Sequence, residues 1–215
     1  MDTKTVPPVK ERKTFTDYMR ANTRFIIEPI VDHLARYRFS PDALTVVGML
    51  SHFLFAWLIA QGHMTWASVT MFFIAPLDAF DGALARKLGR KQGGFGAFLD
   101  STLDRLAEII LFGGFILFYM EHENALMLGI AYLAITGSIM VSYARARAEA
   151  LGYSSKVGIA SRVERYFVII SFLFLNLPDV AVIILAIATY ITLGQRMYAV
   201  WQQASTAPDD RPSHE

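Results

Sequence analysis

The sequence predicts an all-α integral membrane protein: six transmembrane helices preceded by an amphipathic helix lying in the membrane interface. Three observations carry this. Hydrophobic residues make up 54% of the 215-residue chain and charged residues only 18%, against about 25% charged in an average soluble domain. Ala43 to Leu77 is a run of 35 residues without Asp, Glu, Lys or Arg, and Ala125 to Ala144 is another of 20; about 18 apolar residues suffice for a membrane span. Arginine and lysine gather in the terminal segments, in alternate connections and at the span ends beside them, as expected of a multi-pass protein. Disorder, a fibrous repeat and an ordinary soluble fold all fit this pattern badly.

The elements follow in order. Phe15 to Arg38 interleaves Phe15, Tyr18, Met19, Phe25, Ile26, Ile30 and Leu34 with Arg20, Arg24, Arg36 and Arg38, the composition of a helix lying on a membrane surface. The first span runs from Pro41 to Ala60, and Gln61-Gly62-His63-Met64 turns the chain into a second, Thr65 to Ala85. A short basic loop, Arg86 to Gly94, leads to the third, Phe95 to Met120. The fourth covers Ala125 to Ala148. A polar loop, Gly152 to Ser161, precedes the fifth, Arg162 to Leu177, which Pro178 ends. The sixth runs from Asp179 to Gln202. At ~1.5 Å per residue these lengths reach across a ~30 Å core, the fifth only just. The organisation is therefore a segment at 1–38, a six-helix domain at 39–203, and a Pro- and Asp-containing tail at 204–215 expected to be disordered.

Eight basic residues precede the first span, four lie in Arg86–Lys91 and five between Arg145 and Arg165, whereas the other three turns carry only Glu121, Glu123 and Asp179. The positive-inside rule puts both termini and the two basic loops in the cytoplasm. The N-terminus has no apolar core of the kind a cleaved signal needs. With no cysteine, thiolate catalysis and Cys-ligated metals are excluded. The net charge of +1 offers nothing to a nucleic acid.

Four aspartates stand at one level near the inner surface: Asp78 and Asp81 at the end of the second span, Asp100 and Asp104 at the start of the third. An aspartate at the centre of a membrane helix costs about 2.5–3.5 kcal/mol. Asp78, Asp81, Gly82 and Ala85 form one helical stripe; Gly96, Asp100 and Asp104 form another. Four like charges so close demand cations, and carboxylates without Cys or His suit Mg²⁺ or Mn²⁺. Gly82, Ala85 and Gly96 keep both faces slim enough for a bulky polar substrate.

These residues resemble a known signature. Asp78-Ala-Phe-Asp81-Gly82-Ala-Leu-Ala85-Arg86, followed by Gly96-Ala-Phe-Leu-Asp100-Ser-Thr-Leu-Asp104, is similar to the D-x2-D-G-x2-A-R…G-x3-D-x3-D pattern of the CDP-alcohol phosphotransferases. The spacer here is nine residues, Lys87 to Phe95, where that family usually has eight. The resemblance implies six spans, a homodimer, and two divalent ions held by Asp78, Asp81, Asp100 and Asp104 on the diphosphate of a CDP-linked lipid. Asp104 would also be the general base. Asp42 and Thr45 in Pro41-Asp42-Ala-Leu-Thr45, with Gly82, Ala85, Arg86 and Gly93, would form the nucleotide side.

A second constellation is basic. Arg145-Ala-Arg147-Ala-Glu149, Arg162-Val-Glu164-Arg165 and Gln195-Arg196 are similar to segments of the prokaryotic phosphatidylinositol phosphate synthases and their archaeal-lipid counterparts. Guanidinium forks suit phosphate oxygens, and the resemblance assigns Arg145, Arg165 and Arg196 to the phosphate of the acceptor. It departs from that group at Arg145 (usually Lys), Ser161 (usually Glu) and Val163 (usually Pro). The expected reaction transfers a phosphatidyl-type group from CDP-diacylglycerol to inositol phosphate, releasing CMP, in a prokaryotic cell membrane. Phosphatidylglycerol phosphate synthesis with glycerol phosphate is the nearest alternative. A divalent-cation channel is one of another class, disfavoured because Arg86 and Arg105 flank the aspartates. Glu108, four residues beyond Asp104, is a candidate to support it by hydrogen bonds. His52 is expected to be a hydrogen-bonded packing residue, and Phe53, Phe55, Trp57, Trp66, Phe72 and Phe73 to pack or face lipid.

Overall fold

Among the described residues the chain is helical throughout, with no strand. The structure, a computed structural model, describes residues 28–75, 77–89 and 94–206, the side chains of 77–79 excepted. Most of the expected interfacial helix, the loop residue Gly93 and the end of the tail lie outside these residues. What is described of the first element is a helix, α1, at residues 28–36.

Seven helices follow: α2 Pro41–Ala60, α3 Met64–Ile74, α4 Leu77–Lys87, α5 Phe95–Glu121, α6 Ala125–Ala150, α7 Arg162–Phe174 and α8 Pro178–Thr206. Local chemistry sets their ends. Ser40 is extended at the start of α2, Pro41 occupies the first turn, and Asp42 complements the positive end of the helix dipole. Asn124 Oδ1 accepts from the Met127 backbone N–H at 3.1 Å, capping α6. The helices stop where the backbone turns left-handed, at Gly62, Gly89 and Gly152, and at Glu123 and Asn176.

Two of the expected spans are altered. The second is two helices, α3 and α4, separated at the step before Leu77, where the sequence places Pro76; a proline lacks the N–H that would continue the helical ladder. The fifth, α7, has only 13 residues, about 20 Å of helix. Among the described residues three helices, α2, α6 and α8, are at once long and apolar enough to cross a membrane. Helix α5 has the length at 27 residues, but Asp100, Asp104, Arg105 and Glu108 occupy its first half.

Helix α2 packs along α5 and α6 along α8, with α5 against α6, α3 against α7 and α4 against α2. Glycines permit the closest approaches. A Cβ on Gly114 would stand 2.5–3.0 Å from the backbone of Ala56, and one on Gly137 would collide with Thr189. The core between the layers holds Phe55, Ile59, Met71, Leu111, Phe112, Phe115, Ile169, Leu173 and Leu185. Phe53, Trp57, Trp66, Phe72 and Phe73 are exposed on the outside, as lipid-facing residues should be, whereas Phe55 belongs to the core. His52 is a packed residue. Its Nδ1 lies 2.8 Å from the Gly48 carbonyl and must donate to it, so Nε2 accepts from the Tyr166 hydroxyl at 2.6 Å.

Candidate functional site

The chemistry-bearing residues gather where α2, α4, α5 and α7 begin or end on one side of the bundle. Asp81, on α4, is 4% exposed, and it is there because α4 packs against the first turns of α2. Thr45 Oγ1 lies 2.6 Å from Asp81 Oδ2 and 3.1 Å from the Pro41 carbonyl. A hydroxyl has one hydrogen, so the short, charge-assisted contact to Asp81 takes it. Thr45, expected on the nucleotide side, therefore orients one of the acidic residues. Asp42 is half-buried one turn earlier.

Asp100 and Asp104 are half-buried on α5. Asp104 Oδ2 accepts from Arg162 Nη1 at 2.7 Å, with Arg105 Nη1 at 3.5 Å. Arg162 comes from α7, where its guanidinium lies over the Tyr166 ring, 5.4 Å from the centroid. The Tyr166 hydroxyl is in turn held by His52. Arg162 is the residue that reading the sequence passed over: it was one of a row of basic residues, and only the packing of α7 brings it to the carboxylate. Gly82 is half-buried, and a Cβ there would meet Arg86 Nη1 at 3.5 Å, so Arg86 folds back over the slim stripe from its exposed position. Ala85 is half-buried on the same helix. The Asp78 side chain and Gly93 lie outside the described residues. Among the described residues no three acidic or histidine side chains stand close enough to hold a metal, while an arginine supplies the positive charge that Asp104 requires. An all-carboxylate set with a cation already drawn to it has the chemistry of a hard-ion site.

The basic side differs. Arg165 is 2% and Arg196 4% exposed. Arg165 Nε donates to Glu108 Oε1 at 3.0 Å, Nη2 donates to the same oxygen, and Nη1 donates to the Ala160 carbonyl at 2.9 Å. Arg196 donates from Nε to the Val157 carbonyl at 3.0 Å and from Nη1 to the Val141 carbonyl at 2.6 Å. Among the described residues no carboxylate forms an ion pair with Arg196, although a buried charge is costly until it is paired. Arg196 lies in the field of Arg145 and Arg165, which repel it, and of Glu149 and Glu164, which attract it, so the three expected arginines share one region with two carboxylates. Arg145 itself is exposed and paired to Glu149 at 2.9 Å. The α6–α7 loop is fastened to this cluster: the Ile159 and Ala160 N–H groups donate to Thr192 Oγ1 at 3.2 and 3.0 Å, and Gln203 exchanges hydrogen bonds with the Ser154 backbone. Ser155, in that loop, is fully buried with no hydrogen-bond partner for its hydroxyl among the described residues.

Glu108 hydrogen-bonds a candidate site residue, Arg165. It binds Arg165 across the helix interface and not Asp104 on its own helix. Two ionised carboxylates have no proton to share, whereas a guanidinium offers a fork of donors.

Known proteins share both the sequence pattern and this architecture. The family model for CDP-alcohol phosphatidyltransferase matches residues 38–194. The archaetidylinositol phosphate synthase of Methanothermobacter thermautotrophicus is 36% identical over 209 residues, 92% of this chain and 99% of that protein. The phosphatidylinositol phosphate synthase of Cutibacterium acnes is 34% identical over 203 residues, 86% of this chain and 96% of that protein. Among solved structures, the phosphatidylinositol phosphate synthase of Mycobacterium tuberculosis with CDP-DAG bound superimposes with a TM-score of 0.77 at 28% identity, covering 87% of this chain and 98% of that one. Another structure of the same enzyme, in complex with manganese and citrate, gives the same TM-score and identity. The chain is a membrane transferase and belongs to the CDP-alcohol phosphatidyltransferase family.

Proposed function

We infer that the protein transfers a phosphatidyl-type group from a CDP-linked lipid to inositol phosphate and releases CMP. The observation that carries the choice of acceptor is Arg196: a buried guanidinium bonded to two carbonyls and no carboxylate, beside Arg165 and Arg145. Such a group is incomplete without an anion, and a phosphate on the acceptor supplies one. The names of the relatives point the same way.

In the reaction, the acceptor hydroxyl attacks the lipid-side phosphorus, and the bond from that phosphorus to the oxygen of CMP breaks. The hydroxyl proton passes to an Asp104 carboxylate oxygen, which must first loosen from Arg162. Asp78, Asp81, Asp100 and Asp104 are the residues to hold two divalent ions, Mg²⁺ or Mn²⁺, whose contribution when bound is to neutralise charge on the diphosphate. Thr45 orients Asp81 for that task. Asp42, Gly82, Ala85, Arg86 and Gly93 line the cytidine diphosphate, the absence of a side chain at Gly82 leaving room beside the helix backbone. Arg165 and Arg196, with Arg145 at the rim, hold the acceptor phosphate.

The membrane arrangement that fits this site has six crossings, formed by α2, α3 with α4, α5, α6, α7 and α8. Both termini and the site lie on the cytoplasmic side of a prokaryotic cell membrane, and the N-terminal segment lies on its surface. The functional unit is a homodimer.

Purified protein given CDP-diacylglycerol, Mg²⁺ and labelled inositol phosphate should form labelled lipid and CMP. Activity should vanish with a chelator, return with Mg²⁺ or Mn²⁺, and be lost in Asp104→Asn. Preference for glycerol 3-phosphate in an acceptor panel would move the assignment to phosphatidylglycerol phosphate synthesis. Failure with every alcohol, phosphorylated or free, would sink the transferase reading.

A further inference from the structure

The geometry points to Glu108 as a positioning residue: it turns the Arg165 guanidinium so that its outer edge meets the acceptor phosphate, and thereby sets the preference for a phosphorylated acceptor. This rests on the acceptor reading above.

The donor count makes the case. A guanidinium has five N–H groups. In Arg165 three are spent: Nε and one on Nη2 to Glu108 Oε1, and one on Nη1 to the Ala160 carbonyl. One hydrogen on each terminal nitrogen remains. These are the donors left for a phosphate oxygen, charge-assisted on both sides. Glu108 occupies the other side of the fork, along Nε and Nη2, so the rotation of the planar group about its stem is fixed.

The clamp is rigid because each part is anchored on a different element. Glu108 is 3% exposed on α5, one turn deeper than Asp104. Arg165 comes from the first turn of α7. The carbonyl that completes the grip belongs to Ala160, whose own N–H is held by Thr192 on α8 at 3.0 Å. Asp100, Asp104 and Glu108 form one i, i+4, i+8 stripe on α5. The same helix face thus carries the reacting carboxylate and, one turn on, the residue that aims the acceptor's anchor. A rigid stripe of this kind fixes the distance between the hydroxyl that reacts and the phosphate that is held.

The charge matters as much as the shape. Paired with the Glu108 carboxylate, Arg165 repels Arg196 less than an unpaired guanidinium would. Without that carboxylate, the Ala160 carbonyl is the one remaining described partner of the Arg165 guanidinium.

The test uses the full-length protein in detergent with CDP-diacylglycerol and Mg²⁺, and compares wild type, Glu108→Gln, Glu108→Asp, Arg165→Gln and the double variant Glu108→Gln/Arg165→Gln. Loss of one charge-assisted hydrogen-bonded contact corresponds to roughly tenfold to a hundredfold in affinity. Glu108→Gln is expected to raise KM for inositol phosphate by that factor, with KM for the CDP-lipid changed less than twofold. Glu108→Asp keeps the charge and should restore part of the loss. Because Glu108 acts through Arg165, the double variant should match Arg165→Gln alone. It also removes both charges, so it remains informative if Glu108→Gln does not fold. Equal effects on both substrates, a loss confined to kcat, or additive losses in the double variant would overturn the assignment. Wild-type protein that turns over inositol phosphate while showing any of these leaves the proposed function standing. Wild-type protein that uses no phosphorylated acceptor removes both.

Discussion

Replacing Gly114 by alanine probes the backbone-to-backbone approach of α5 and α2. The added Cβ would lie 2.5 Å from the Ala56 carbonyl oxygen and 2.7 Å from its Cα. Carbon atoms prefer about 3.5–4.0 Å, so α2 and α5 must part by about 0.8 Å, and both sides of the contact are backbone, which cannot rotate aside. A gap of that size forfeits a quarter to a half of the dispersion well for each atom pair it opens, here among Phe55, Ile59, Leu111, Phe112 and Phe115. Overpacking typically costs about 1–3 kcal/mol. Alanine's better helix propensity returns about 0.8–1.0 kcal/mol, leaving a net loss of up to about 2 kcal/mol and a fall in Tm of up to about 8 °C. The neighbour supplies the control. A Cβ on Gly113 meets nothing within 4 Å, so Gly113→Ala should be neutral or slightly stabilising. Thermal unfolding of the two variants side by side in the same detergent reads the difference. Since α2 carries Thr45 and α5 carries Asp104, Gly114→Ala should also lower kcat/KM, and Gly113→Ala should not. Equal Tm for the two would refute the claim that backbone contact at Ala56 sets the helix spacing.

Three further outcomes follow from the site. Thr45→Val keeps the shape and removes the donor to Asp81, a contact of about 1.5–3 kcal/mol, and should weaken Mn²⁺ binding, read by titration, about tenfold or more. Arg162→Gln takes away the cation that competes for Asp104 and should tighten Mn²⁺ binding in the same titration while lowering kcat; weaker binding would show that Arg162 supports the ion instead. Gly158 has φ +123 and stands against Thr192, so Gly158→Ala should pull the α6–α7 loop off α8, raising KM for the phosphorylated acceptor and leaving that for the CDP-lipid near its starting value.

Much of the fold was legible because membranes leave few choices. A 35-residue charge-free stretch has to be buried or lipid-facing. The departures have local causes. The second span is divided between α3 and α4, a break that the apolar run concealed because hydropathy does not register the missing N–H of a proline. Helix α7 stops at Phe174, four residues before the proline taken as its end, because Asn176 turns left-handed. His52 was legible only as a packed residue. Its tautomer depends on a carbonyl four residues back and a hydroxyl 114 residues away.

By itself the sequence determined the carboxylate stripes, since residues spaced i, i+3 or i, i+4 share a helix face whatever the helix packs against. Only the tertiary structure decided which cation meets which carboxylate. Arg162 reaches Asp104, Thr45 reaches Asp81, and Glu108 turns from Asp104, four residues away on its own helix, to Arg165, which is 57 residues distant. These pairings depend on how α7 and α2 lie against α5 and α4. Glycine contacts at Gly114 and Gly137 set the approach of the helices that frame them, and a backbone distance of that kind leaves no periodic trace in a sequence.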